Sequence, residues 1–349
     1  MREAVEGGAA RTAAALRRWF EHQRRDLPWR RTRDPYAIWV SEIMLQQTRV
    51  ETVIPYYRRF LEAFPTVEAL ATAAPDDVLK RWEGLGYYAR ARNLQRAAQA
   101  VRANGSGVPR TRDGLLTLPG IGRYTAGAIA SIAYGERVAA VDGNVERVLS
   151  RLHAIERGSV WPQAEALVAV AADPSTHNQA LMELGATLCT PRTPRCDACP
   201  IGDACAGRKS GDPTRFPEKV RTKVLPRRDM AAALLWHGER FLVVKRPTDG
   251  LLGGLWDLPS AERTGRESRA SACARALAPW GGETVEVGLH VATVRHVFTH
   301  FRMDLHVHEC RTATPTPTDD RTSRWITPAE RSRHAFPKAT NRVFETLLD

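Results

Sequence analysis

Four of the six cysteines, Cys189, Cys196, Cys199 and Cys205, fall within 17 residues in the spacing C-x6-C-x2-C-x5-C, with Pro191, Pro194 and Pro200 between them. Four thiolates so close along the chain converge on one centre. Disulfides are disfavoured, because nothing in the sequence signals export to an oxidising compartment. Structural zinc sites usually pair two short Cys-x2-Cys knuckles across a longer gap. One knuckle flanked by wider arms points instead to an iron–sulfur cluster, with zinc as the remaining alternative. Cys273 and Cys310 stand apart and read as buried, unligated thiols.

Two carboxylates also stand out. Glu42 sits in Ile38-Trp39-Val40-Ser41-Glu42-Ile43-Met44-Leu45, a helix apolar on nearly every side, and its neighbours three and four residues away, Ile38, Trp39, Leu45 and Gln46, include no basic partner. Such a carboxyl must find a distant partner, lie in a cleft or accept a raised pKa. Desolvation favours the protonated form, which a general acid needs. Asp142 follows the apolar run Val138–Val141 and precedes a helix starting near Asn144. It reads as a helix N-cap, a role compatible with service as a catalytic anion. Between the two, Leu118-Pro119-Gly120-Ile121-Gly122-Arg123-Tyr124 sets a Pro-Gly-x-Gly turn between apolar-patterned helices. Gly120 and Gly122 let the backbone turn tightly and leave N–H groups at a helix start able to hold a DNA phosphate without reading sequence, although an ordinary αα-corner would look similar.

The elements that position these groups are short helices from residue 11 to about 185, broken at Pro and Gly, with Asp34-Pro35 as a capped helix start. An all-α domain over 11–206 is expected, then a breaker-rich linker over 207–228, then a smaller α+β domain over 229–349. In that last domain Met230–Trp236 and Arg240–Lys245 flank His237-Gly238 as a hairpin, Val285–Val297 and Arg302–His308 read as strands, and Ser268–Leu277 reads as a helix. Thr312–Thr318 reads as a surface loop. His296, His306 and His308 read as surface histidines rather than metal ligands.

The hairpin, the aspartate and the cysteine loop together resemble the endonuclease III superfamily of helix-hairpin-helix DNA glycosylases. Within it, Trp39-Val40-Ser41-Glu42-Ile43-Met44-Leu45-Gln46-Gln47-Thr48 resembles the signature of the MutY-type adenine DNA glycosylases. The resemblance covers about residues 11–345. It implies a [4Fe-4S] cluster on the four cysteines, with Glu42 protonating adenine at N7, Asp142 facing the sugar, and Tyr124 and Asn144 supporting the transition state. It also implies that Trp29, Arg30, Gln47, Leu85, Tyr87 and Tyr88 line the base pocket or probe the gap and the opposite base. Breaking an N-glycosidic bond calls for one group to protonate the leaving base and an anion to oppose the oxocarbenium-like sugar, after the base has left the stack.

Gly253-Gly254-Leu255-Trp256-Asp257-Leu258-Pro259 resembles the Nudix-like domain that ends these enzymes. The acidic helix of a working Nudix hydrolase is missing from Arg266-Glu267-Ser268-Arg269-Ala270-Ser271, so no divalent metal site is expected there. The family's Phe-Ser-His loop for 8-oxoguanine has its counterpart in Phe298-Thr299-His300, where threonine adds a methyl group.

Composition fits these readings. Among 349 residues, 51 Lys+Arg against 39 Asp+Glu give a net charge of +12, suited to a polyanion, and 43% hydrophobic residues exclude a disordered chain. No stretch approaches the roughly 18 apolar residues of a membrane helix, and Glu3 and Glu6 stand where a signal peptide needs basic residues, so a cytosolic bacterial protein is expected. The expected partner is double-stranded DNA with A:8-oxoG or A:G mispairs, bound by a monomer. The competing readings are a bifunctional endonuclease III-like glycosylase/lyase and a noncatalytic iron–sulfur DNA-binding module. The lyase needs an amine. Residues 1–210 hold only Lys80 and Lys209, and the resemblance places Tyr124 where the lyase lysine would stand.

Overall fold

Asp34 accepts hydrogen bonds from the Tyr36 and Ala37 amides at 3.2 and 3.1 Å, and Pro35 occupies the first helical position, so the chain enters a helix at Pro35–Leu45. Every residue of it from Tyr36 to Met44 is buried, as its all-round apolar sequence requires. The computed structural model describes residues 2–218, 224–280, 285–315, 318 and 321–349, with side chains from Gly7 onward. Part of the 207–228 stretch, part of the Thr312–Thr318 loop, Lys219 and Lys223 lie outside the described residues.

The chain divides into two compact units, Met1–Thr72 with Asn93–Arg221, and Ala73–Arg92 with Thr222–Asp349. In chain order the helices are α1 (Arg2–Gln23), α2 (Pro35–Leu45), α3 (Val50–Ala63), α4 (Val67–Thr72), α5 (Pro75–Trp82), α6 (Ala89–Asn104), α7 (Arg112–Leu116), α8 (Arg123–Tyr134), α9 (Gly143–Leu152), α10 (Trp161–Val170), α11 (Pro174–Thr187), α12 (Ala206–Lys209), α13 (Arg269–Leu277) and α14 (Lys338–Leu347). The first unit is helical. Leu16 and Phe20 of α1, Val148 and Leu149 of α9, Leu167 of α10 and Leu181 and Leu184 of α11 form one of its cores, against which Cys189, Cys199 and Cys205 pack. The expected turn between α7 and α8 is present, with Gly120 at φ 76° and Pro119, Gly120 and Gly122 exposed. Among the described residues no helix is long and apolar enough to cross a membrane.

The second unit is built on a mixed sheet of β1 (Arg227–His237), β2 (Arg240–Lys245), β3 (Trp256–Asp257), β4 (Ser260–Glu262), β5 (Val287–Val297), β6 (Arg302–Arg311) and β7 (Ser323–Ile326), ordered β3-β2-β1-β6-β5, with β4 on β1 and β7 on β2. β1 and β6 run parallel, Arg227 opposite Arg302 through Trp236 opposite Arg311. The expected hairpin forms, with Trp236 opposite Phe241. Ala231–Leu235 in β1 are all buried, because both faces of this central strand are covered. α14 packs Val343 and Phe344 against Ala232, Leu234 and Val307, while α13 packs Ala272, Cys273 and Leu277 against Ala231, Ala233 and Cys310.

Ala73–Arg92, expected within the helical part, groups with this sheet unit. Lys245 Nζ donates to Asp76, Trp256 Nε1 donates to Asp76 Oδ2 at 3.2 Å, and Glu83 Oε1 accepts from the Phe336 amide and Asn341 Nδ2, each at 2.9 Å. The reading of His306 and His308 as surface residues is corrected: both are buried, because β6 lies between β1 and β5. The His306 Nδ1 atom shares a hydrogen bond with Thr293 Oγ1 at 2.9 Å, and His308 Nδ1 shares one with the Gly288 carbonyl at 3.2 Å.

Candidate active site

Three elements of the helical unit deliver the expected catalytic groups to one cavity of about 870 Å³. α2 brings Glu42, only 4% exposed. α8 brings Tyr124, whose hydroxyl donates to Glu42 Oε2 at 2.5 Å and lies 3.7 Å from Met182 Sδ. The third element is the non-helical Val138–Val141 stretch, which can lie against α8 only because position 127 is glycine; a Cβ there would fall 2.2 Å from the Ala139 carbonyl oxygen. That approach places Asp142 at the start of α9. Asp142 is the helix cap: Oδ1 accepts from the Val145 amide at 2.7 Å and Oδ2 from Asn144 Nδ2 at 3.0 Å. It also lines the cavity with Glu42, so capping and facing the cavity coexist.

Burial pushes the Glu42 carboxyl up to about 7; the Tyr124 hydrogen bond opposes this, the Asp142 charge adds to it and Arg30 opposes it. Glu42 therefore exchanges a proton near neutral pH, as a general acid must. Burial likewise raises Asp142, while the Val145 and Asn144 donors and Arg147 pull it back toward the anion. Burial, followed by the charges of Glu42 and Asp142, keeps Tyr124 protonated and a hydrogen-bond donor.

Trp29, Arg30, Gln47, Gly122 and Asn144 line the same cavity. Trp29 is 7% exposed and meets Tyr57 edge to face at 5.5 Å. Sequence reasoning passed over Glu183 of α11, which is buried and accepts from Arg25 Nε at 2.8 Å, Arg25 Nη2 at 2.9 Å and Arg30 Nη2 at 2.8 Å. Against the penalty of burial, those guanidinium groups hold its carboxyl down to about 2. The signal that picked out Glu42, a carboxylate in an apolar helix, also marks Glu183 in Ala180-Leu181-Met182-Glu183-Leu184. Arg147 was also missed. Its Nη2 donates to Asn144 Oδ1 at 2.8 Å and to the Gly185 carbonyl at 2.7 Å, and its Nε to the Cys189 carbonyl at 2.8 Å. Gly185 makes this possible, since a Cβ there would lie 2.6 Å from Asn144 Cβ.

Residues 40–169 match the family described as HhH-GPD superfamily base excision DNA repair protein, and residues 231–346 match the NUDIX domain. The chain is 37% identical to the adenine DNA glycosylase of Homo sapiens, over 95% of this chain and 72% of that one, and 37% identical to that of Rattus norvegicus, over 93% and 76%. It belongs to the adenine DNA glycosylase family. Among solved structures it is similar to a thermostable thymine-DNA glycosylase (TM-score 0.54, 31% identity, 59% of this chain and 99% of that one). It is also similar to endonuclease III in a non-covalent complex with DNA (TM-score 0.50, 26% identity, 57% and 94%). The protein is thus a base excision repair glycosylase with an N-terminal helical domain like endonuclease III and a C-terminal Nudix-fold domain.

In this glycosylase the four loop cysteines line one small cavity together with Arg151. The buried Arg151 donates Nη1 to Cys189 Sγ at 3.3 Å and to the Thr190 carbonyl at 2.8 Å, and Nη2 to the Pro191 carbonyl at 3.0 Å; Cys205 Sγ donates to the Arg151 carbonyl at 3.3 Å. Burial pushes the Cys199 thiol up to about 11, with the Ile201 amide opposing this and the neighbouring cysteines adding to it. Among the described residues no three His, Cys, Asp or Glu side chains are grouped as ligands of a metal ion. Cys273 and Cys310 are buried, free thiols.

In the glycosylase's sheet unit Phe298, Thr299 and His300 follow β5, with the Phe298 amide donating to the Phe301 carbonyl at 2.9 Å and the two rings stacked at 4.6 Å. Leu85 and Tyr88 are buried in the same unit, whereas Tyr87 is 45% exposed, holds φ 49° and shares a 2.8 Å hydrogen bond with Thr299 Oγ1. α13 carries no Asp or Glu, and Glu267 just before it is paired with Arg275 at 2.9 Å.

Proposed function

We propose that the chain is a monofunctional glycosylase that removes adenine mispaired with 8-oxoguanine or guanine, acting as a monomer on double-stranded DNA at the bacterial nucleoid. The observation that carries this reading is Glu42: a buried carboxyl, poised near neutral pH, sharing a cavity with the helix-capping Asp142. The flipped adenine enters between Trp29 and Glu42, and Arg30 and Gln47 supply polar contacts to its edge. Glu42 gives its proton to N7 as the C1′–N9 bond breaks, the bonding pair leaving with adenine. The Asp142 carboxylate faces the positive charge that develops on the sugar, while Asn144 and the Val145 amide hold it in place. Water then supplies hydroxide to C1′ and releases a proton, leaving an abasic site. Tyr124 orients the Glu42 carboxyl throughout. No lysine lines the cavity among the described residues, which supports hydrolysis over lyase chemistry.

Cys189, Cys196, Cys199 and Cys205 would hold the [4Fe-4S] cluster. Their soft all-thiolate donor set and shared cavity fit that group, and the cluster would order the loop that Arg147 and Arg151 grip. Gly120 and Gly122 would offer backbone N–H groups to a DNA phosphate, and Phe298, Thr299 and His300, with Tyr87, would read the lesion strand. The test is single-turnover cleavage of A:8-oxoG and A:G duplexes, with and without alkali. Strand breaks should need alkali, and Glu42→Gln should lose about a hundredfold to ten-thousandfold in rate. Breaks without alkali, or near-normal excision by the variant, would sink the assignment.

A further inference from the structure

Tyr87 is a large aromatic that is 45% exposed and held in the left-handed region at φ 49°, preceded by Gly84 at φ 94° and Gly86 at φ 78°. A non-glycine residue keeps such a conformation only where its surroundings over-determine it. Much of the grip comes from Arg90, in the first turn of α6. Its Nη2 donates to the Gly86 carbonyl at 3.2 Å and to the Leu85 carbonyl at 3.4 Å, and its amide donates to the Tyr87 carbonyl at 2.8 Å. The guanidinium carbon lies 5.3 Å from the centre of the Tyr87 ring and 5.5 Å from that of the buried Trp82 ring. Trp82 Nε1 adds a bond to the same Gly86 carbonyl at 3.1 Å, and the Gly84 amide donates to the Tyr88 hydroxyl at 3.1 Å. Position 90 is a costly place for a cation. The positive end of the α6 dipole opposes it, and burial pulls the guanidinium down to about 10, still charged at neutral pH. What arginine supplies there is a planar fork for two carbonyls and a flat cationic face for two rings.

We propose that Arg90 is a specificity-determining positioning residue: it fixes the Leu85–Tyr87 turn so that the Tyr87 ring meets the lesion strand already ordered, and the preference for 8-oxoguanine over guanine depends on that order. The inference rests on the proposed reading of Tyr87 and Thr299 as groups that read the lesion strand. Arg90 acts through Tyr87 and not on the adenine. A ring whose backbone and face are already fixed loses little freedom on binding, so its contacts with the opposite base appear in the affinity. The 2.8 Å hydrogen bond from Tyr87 to Thr299 also joins the turn to the Phe298–His300 loop. Loosening the turn therefore loosens the loop that would tell the two bases apart.

The full chain and its variants are compared for binding to duplexes that place 8-oxoguanine or guanine opposite a 2′-fluoro adenosine, whose electron-withdrawing fluorine slows glycosidic cleavage so that affinity is read without turnover. The readout is the ratio of the two Kd values, since a change that merely weakened the fold would lower both affinities together. In Arg90→Met the preference should fall about fivefold or more, the lower end of what a stacked aromatic is worth. Arg90→Lys, which keeps the charge but loses the planar fork, should show a smaller fall, and it carries the comparison should Arg90→Met fold poorly. In a Tyr87→Ala background, Arg90→Met should change the ratio by less than about twofold, because the group it acts through is gone. Preference kept in full by both Arg90 variants, or lowered by Arg90→Met to the same degree with and without Tyr87, overturns the inference and leaves the proposed activity standing. A native chain that shows no preference overturns the lesion-reading assignment along with it.

Discussion

Replacing Tyr124 by Phe should move the pH dependence of excision in a direction that a merely structural role would not give. Burial is the dominant influence that carries Glu42 up to about 7, and the Tyr124 hydrogen bond opposes it by favouring the carboxylate. A hydrogen bond to a charged group is worth about 1.5–3 kcal/mol, and one pKa unit about 1.4 kcal/mol, so losing the 2.5 Å bond should raise Glu42 by about one to two units. If Glu42 is the acid, the single-turnover rate falls tenfold per pH unit once pH exceeds its pKa. The alkaline limb of the native enzyme then begins near 7, and that of Tyr124→Phe about one to two units higher, whatever the height of its plateau. The assay is rapid-quench excision on an A:8-oxoG duplex across the neutral and alkaline range, scored after alkali. A limb that stays in place or moves to lower pH would refute the coupling between Tyr124 and Glu42.

Three further outcomes are expected. Glu183, held at about 2 against an ordinary value of 4.5, contributes stability that is present above pH 4.5 and lost as pH falls toward 2; this amounts to about 3 kcal/mol, and a Glu183→Gln variant should unfold at lower temperature at neutral pH and show a smaller loss across that acid window. The purified protein should be yellow-brown with about four irons per chain, and Cys199→Ser should cost folding or DNA affinity more than chemistry; elemental analysis finding zinc without iron in anaerobically prepared protein would overturn the cluster assignment. Phe298→Ala should reduce the preference for A:8-oxoG over A:G by up to about 1–3 kcal/mol, the worth of an aromatic stacked on a base, and an unchanged rate ratio on the two duplexes would remove this loop from lesion reading.

Local chemistry sufficed for much of this protein. The cysteine spacing, the Pro-Gly-x-Gly turn, the capped start at Asp34-Pro35 and the lone carboxylate in the apolar α2 sequence are patterns within at most 17 residues, and each depends on backbone geometry or burial that neighbours in sequence dictate. The hairpin around His237-Gly238 is legible for the same reason. What the sequence left undecided depends on groups far apart in the chain. Glu183 becomes a site residue only because α11 passes the Arg25–Arg30 segment, and Arg147 links Asn144 to the cysteine loop only because Gly185 lets two backbones approach. His306 and His308 look like surface residues in an alternating strand until the strand order places β6 between β1 and β5. Ala73–Arg92 reads as one more piece of the helical array, yet Asp76 and Glu83 find their partners in Lys245, Trp256, Phe336 and Asn341, about 160 or more residues away. A charged or polar side chain does not reveal its partner from its own position, because the pairing energy depends on distance and burial that only the folded chain fixes.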